Sequence, residues 1–490
     1  MLKPMDRRNF MKSLGGVVVA TAAGPMVLDL VLPQGASTAT AETLNTTMPT
    51  GIPILVNIVM DGGNDYLNTL VPVDNPWYFD TTYGHGPLAV DPATTLELTG
   101  LTHYRLNRLL PFLADRWNNT GDVAFVLGIG EQNHLNFSHF ESMDYWQTAD
   151  TSLLEPTGWL GRFNDMRRPG SPLASVSLGT LRKELEGATA PALVLNDISK
   201  FVYNVPAFDT DLFRSELTRM ASIAGGGFMQ EASSLISTTF DVTSQLQGAY
   251  DSNLVAGGPF GELADRLLQA AMLIRAGVPS QTYSVSFGPF DSHNNQNTMQ
   301  SARFAELDTA LTKFFAALAG HPKAADVFVM ITSEFGRQVT ANDNGGTDHG
   351  QSGMGIFIGA GVNRGVFGEA PTLDPGGPTR PNRVYDALKP SIDYRAMHFA
   401  ALSRLSDPST AQAVLRGNYP TLGVFNRPVV APAPVPVVAT PTTTPPTTTP
   451  APATPAPTPA PTTGTVTALN PPRLLQRAQA KSRWARLRAF

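Results

Sequence analysis

The segment Tyr283–Gly336, YSVSFGPFDSHNNQNTMQSARFAELDTALTKFFAALAGHPKAADVFVMITSEFG, decides the fold class of this chain. It opens on an apolar run of strand length, Tyr283–Phe287, and ends on a second, Val327–Ile331. Neither run alternates polar with apolar residues, which is the pattern of a strand covered on both faces in a parallel sheet. Between them Phe304, Leu307, Leu311, Phe314 and Leu318 recur at helical spacing, and Gly320 is a natural stop. A strand, a helix and a second strand in this order form an α/β unit.

The same pattern extends outward. Ile54–Met60, Asp122–Leu127, Ala192–Leu195 and Gly355–Gly359 are further strand-length apolar runs. Leu263, Leu267, Ala271 and Ile274 mark another helix that stops at Gly277, so strand and helix alternate as far as Gly359. The expectation is a doubly wound, mostly parallel sheet flanked by helices, within one domain spanning residues 51–428. No internal repeat is visible, and the stretch from Ser171 to Gly258 reads as insertions and a cap.

Both ends differ from this core. Arg7 and Arg8 are followed by Phe10, Lys12 and sixteen uncharged residues, Ser13 to Leu28. That start resembles a twin-arginine export signal, with Met11 where the usual pattern has leucine and a cleavage site at Ala39–Ala41, so residues 1–41 are read as a signal. The apolar run falls short of the ~20 residues that a membrane span needs and is closed by Asp29. The expected location is therefore periplasmic or extracellular, with the twin-arginine export machinery as a partner. Residues 429–470 are Pro, Thr, Ala and Val almost throughout and carry no charge, a composition that cannot offset its ordering entropy and reads as a disordered linker. Residues 471–490 hold six basic side chains and no acidic one, which suits either contact with an anionic surface or membrane, or a soluble frayed end.

Charge and composition exclude several functions. Setting aside the four basic and two acidic side chains before Glu42 and the six basic ones after Pro428 leaves 25 basic against 38 acidic, a balance of −13. Such a core is a poor nucleic-acid binder, because phosphate contacts need Lys and Arg. With no cysteine, thiolate metal sites, disulfides and thiol nucleophiles are excluded.

Ligands of open α/β sheets bind beyond the carboxyl ends of the strands. Here those ends read DGGNDYLN after Met60, GIGEQNHLNFSHF after Leu127, GPFDSHNNQN after Phe287 and TSEFGR after Ile331, and GGTDHG precedes Gly355. Asp291 and His293, two apart in a non-helical turn, can reach one cation; Glu334 ends a buried strand; Asp348 and His349 sit between glycines. Each also has a local alternative as a cap, an ion pair or a solvated turn. Asp61 and Asp65 are candidate ligands at the end of the first strand. Ser138 beside His139 is a nucleophile candidate, although Ser138 and Glu141 also spell a helix capping box.

These motifs, together with SHFESMDYW, GWLGR, GIFIGAGVNRGVFG and DYRAMHFAALSRL, resemble the secreted bacterial domain-of-unknown-function family 1501 over Pro53 to Phe425. That family is thought to share the alkaline phosphatase and sulfatase fold. The resemblance implies a divalent metal ion (Zn, Mn, Ca or Mg) held by Asp61, Asp65, Asp291, His293, Glu334, Asp348 and His349. It implies Ser138 with His139 as catalytic groups, Arg337 as a clamp on ester oxygens, and a small anionic phosphate or sulfate ester as substrate. The sequence departs from the superfamily in spacing Asp291 and His293 by one residue and in carrying Glu334 where an Asp-His pair is usual. A non-catalytic surface scaffold, tethered through the Pro/Thr tail, is the alternative.

Overall fold

The strand Ile54–Met60 (β3) is buried at nearly every position, and a strand buried on both faces belongs inside a covered sheet. In the computed structural model it lies within a nine-stranded sheet. The structure describes residues 17–21, 24–28, 47–134, 136–200, 219, 242–256, 258, 261–379 and 387–426. The twin-arginine pair and the 429–490 tail lie outside these residues. Of the two compact units, 1–433 and 434–490, only the first contains described residues.

Strands are numbered along the chain. A hairpin pairs β1 (Val17–Thr21) with β2 (Gly24–Leu28). A small antiparallel sheet joins β4 (Leu70–Val71), β5 (Leu96–Leu98) and β6 (Leu101–Leu106). The main sheet contains β3, β7 (Val123–Gly130), β8 (Ser175–Leu178), β9 (Ala192–Leu195) and β10 (Thr282–Phe287). It also contains β11 (Val327–Thr332), β12 (Gly353–Gly359), β13 (Gly365–Gly368) and β14 (Ile392–Asp393). Its order is β13-β7-β12-β11-β3-β10-β8-β9, with β14 also on β7. Every pairing is parallel except the two that β12 makes, with β11 and β7. The sheet is thus mixed and mostly parallel. β12 runs backward because residues 333–352 contain no helix, and without a crossover the chain returns antiparallel.

Alternate residues of the strands feed two cores. Val56, Ile58, Phe125, Val329 and Ile331 pack with the helices Glu262–Arg275 and Gln296–Leu318. Leu55, Val126, Phe328 and Phe357 face the other way, among His139–Thr148, Trp159–Arg167, Arg395–Leu405 and Pro408–Leu415. Helices therefore cover both faces, as the continuous apolar runs require. No helix among the described residues is long and apolar enough to cross a membrane.

His398 sits in this second core, 1% exposed, stacked on Trp159 at 4.4 Å and edge-on to Trp146 at 5.5 Å. Burial, with the charges of Arg395 and Arg162 adding to it, pushes its pKa down to about 3. The unfolded chain binds this proton near pH 6.5, so the stability contribution is complete above that pH and is lost on acidification. Between pH 7 and 5 the loss is about 2 kcal/mol. A His398→Gln variant is expected to show a flatter dependence of urea-unfolding free energy on pH over that interval; an unchanged slope would refute the assignment.

Candidate metal centre

Because eight of the nine strands run the same way, the turns after β3, β7, β10 and β11 and the approach to β12 all meet at one edge of the sheet. They pack without room for side chains at their glycines. Gly62, at φ 121°, lies where a Cβ would come within 2.4 Å of the Asp291 backbone nitrogen. A Cβ on Gly346 would meet the Ser292 carbonyl oxygen at 2.2 Å. Glycine at these points lets the β3 turn and the GGTDHG loop close on the FDSH turn.

His139, Asp291 and His349 each offer a ligand atom there, and these atoms lie within 4.8 Å of one another. His139 opens the helix His139–Thr148. Asp291 follows β10, and His349 is held by a bridge to Arg337. His349 Nδ1 is 2.7 Å from the carbonyl oxygen of Phe137, which only accepts, so Nδ1 carries the hydrogen and Nε2 presents its lone pair. That Nε2 is 3.1 Å from Asp291 Oδ1. His139 Nδ1 is 2.7 Å from Glu334 Oε1, while its Nε2 is buried without a hydrogen-bond partner in the protein, 3.5 Å from Asp291 Oδ2.

His293 abuts the set. Its Nδ1 is 2.7 Å from Asp348 Oδ1, and its Nε2 lies 3.1 Å from Asp291 Oδ1 and 2.9 Å from His349 Nε2. With each Nδ1 as the donor, two Nε2 lone pairs face each other at 2.9 Å, and they repel unless a cation or proton lies at their focus. The donor set, imidazole nitrogen with a carboxylate, suits a divalent cation such as Zn or Mn. The residues present therefore fit a metal.

Electrostatics agree. Burial would raise the Asp291 pKa, but the hydrogen bond and charge of Arg337 outweigh it and hold the carboxyl at about 2. Burial keeps His349 below the usual imidazole range. The hydrogen bond to Glu334 holds His139 above it, so proton and metal compete for that ring.

The other residues singled out in the sequence take different places. Glu334 accepts from Gly62 N–H at 2.8 Å and from His139; it orients an imidazole instead of pointing at the focus. Asp348 does the same for His293 and is also bonded by Asn342. Asp65 lies outside the set: it is 2% exposed and satisfied by Leu67 N–H, by Gln296 at 2.6 Å and by His85 at 2.8 Å. Asp61 faces Arg182 at 3.7 Å, and burial raises its pKa. Ser138 caps the helix that His139 begins, accepting from Glu141 N–H at 3.5 Å.

Arg337 requires a correction. A clamp on ester oxygens needs a free guanidinium, and this one is 1% exposed and consumed. It donates to Gly63 O at 2.8 Å, Thr347 O at 2.9 Å, Phe290 O at 3.1 Å, Gly62 O and Asp291 Oδ1 at 2.6 Å. It ties three turns together and aims a candidate ligand. Sequence reading missed Arg182 and Glu184, because they follow β8, whose four residues SVSL are too short to stand out as a strand. Their signal was position alone.

A family model described as "Protein of unknown function (DUF1501)" matches residues 170–393, which include Asp291, His293, Glu334 and His349 but not His139. No curated protein matches the chain. Among solved structures, a sulfatase from Pseudoalteromonas sp., PsFucS1, is 10% identical with a TM-score of 0.36, covering 78% of this chain and 73% of its own. A protein described with glycosaminoglycan metabolism in Bacteroides thetaiotaomicron is 10% identical with a TM-score of 0.32, covering 78% and 79%. A phosphonate monoester hydrolase from Silicibacter pomeroyi is 10% identical with a TM-score of 0.24, covering 75% and 74%. All three likenesses are weak, and the reading of the site rests on its own residues.

Proposed function

We propose that the chain is an exported, metal-dependent hydrolase-like protein acting on phosphate or sulfate esters. The observation that carries this reading is the convergence of His139, Asp291 and His349, with each imidazole held by an outer acceptor. A divalent cation bound there supplies an acidified water and offsets charge on the ester oxygens. The chain's own residues prepare the place: Glu334 and the Phe137 carbonyl orient two rings, Asp348 orients His293, and Arg337 holds Asp291 ionised. Ser138, engaged as a cap, leaves water as the better nucleophile.

One observation favours a second reading, a metal-binding scaffold without turnover. Arg337 is spent on the protein, so no guanidinium on the GGTDHG loop is left to receive an anion. The chain loaded with Zn or Mn and offered aryl phosphates, phosphodiesters, phosphonates and sulfates separates the two. Turnover of one class, abolished by a chelator and restored by metal, is the expected result; a metal-loaded chain inert to all of them supports the scaffold.

A further inference from the structure

Behind Glu334, on the side facing the helices His139–Thr148, Trp159–Arg167 and Arg395–Leu405, lies a cavity with about 320 Å³ of empty space, open solvent included. The candidate metal centre does not use it. Four polar side chains on its wall each carry a buried atom with no hydrogen-bond partner in the protein: Asn57 Oδ1, Arg182 in one terminal nitrogen, Glu184 Oε2 and His398 Nδ1. All four side chains are more than nine-tenths buried. Such groups cost about 1–3 kcal/mol each when left unmatched, so four on one cavity point to an occupant.

The wall specifies the chemistry. Arg182 is the one cation lining the cavity, its Nε 3.3 Å from Glu184 and its charge 3.7 Å from Asp61, and Glu334 lies on the same wall. Carboxylates outnumber the guanidinium, which disfavours an anion, while the guanidinium itself disfavours a metal ion. The unmatched set needs donors for Asn57 and Glu184 and an acceptor for Arg182. A hydroxyl provides both roles on one neutral atom. Trp146, Trp159 and Met143 add flat apolar surface to the same cavity. His139, Met143 and Gln147 stand four residues apart on one helix, so a single helical face runs from the metal centre to this cavity.

We propose that the cavity binds the hydroxyl-bearing edge of a sugar or small polyol, the alcohol half of the ester. The site stands on its own walls; only its catalytic meaning rests on the hydrolase reading.

The test is saturation-transfer NMR on the full chain with D-glucose, D-galactose, D-mannose and sorbitol as probes. At least one is expected to bind saturably. Glu184→Gln, which removes a charged acceptor, is expected to weaken it about 10-fold. Met143→Trp, which fills the cavity from its partly exposed rim, is expected to abolish it, and decides the matter alone should the buried variant fail to fold. Absence of binding by all four probes, or binding that neither variant changes, overturns the proposal and leaves water as the occupant. An Asp291→Ala chain separates the two readings: it is expected to lose metal and keep the sugar. Sugar binding without any metal in the native chain overturns the hydrolase reading alone, and metal without sugar overturns this one alone.

Discussion

A chain carrying His139→Ala and His349→Ala together is expected to emerge from gel filtration without its divalent metal, whereas the native chain retains about one equivalent. The two rings contribute two of the three convergent atoms, and Asp291 alone is a weak carboxylate site. Replacing an outer partner typically weakens a metal ~10–100-fold, so losing two direct ligands should exceed ~1,000-fold. Glu334→Gln should fall between, since it disturbs His139 without removing it. Stability gives an independent readout. Metal at about 100 times its dissociation constant adds ~2.7 kcal/mol to a chain that binds it, and should add nothing to the double variant. Equal metal content in both chains, or equal stabilisation by added Zn and Mn, would refute the centre.

Much of this arrangement was legible in the sequence, for identifiable reasons. Ile54–Met60 and Val327–Thr332 are buried on both sides, so their side chains had to be apolar throughout, and the runs announce themselves. The polar turns beyond them stood out for the same reason. What the sequence could not separate was ligand from support. Asp291, Glu334 and Asp348 are all carboxylates in strand-end turns, yet only Asp291 points to the focus, and that depends on how three loops interleave. The ladder position of β12 was illegible too: GIFIG reads the same in either direction, and its reversal follows from a helix missing in residues 333–352. Asp65 was misleading because its partner, His85, comes from a separate loop twenty residues on.

Arg337→Met is expected to be the most damaging single substitution for the fold at this edge, at about 4 kcal/mol or more in urea unfolding. Methionine fills most of the arginine's volume, so packing is nearly preserved and the loss isolates the hydrogen bonds. Four carbonyls, those of Gly62, Gly63, Phe290 and Thr347, would lose their donor, and Asp291 would lose its cation. None can turn to water, because the guanidinium site is closed: the side chain has no solvent exposure. Native chains have only ~5–15 kcal/mol of stability, so a loss of this size should cost soluble yield as well. Arg337→Lys retains the charge but brings three donors on one nitrogen, which cannot span carbonyls on three turns; it should lie between native and Met. The same ordering should hold for metal affinity, since Asp291 is aimed by this residue. A Met variant within 1 kcal/mol of the native chain would mean that the turns are held by their glycine-mediated packing instead, and that the arginine is incidental to the centre.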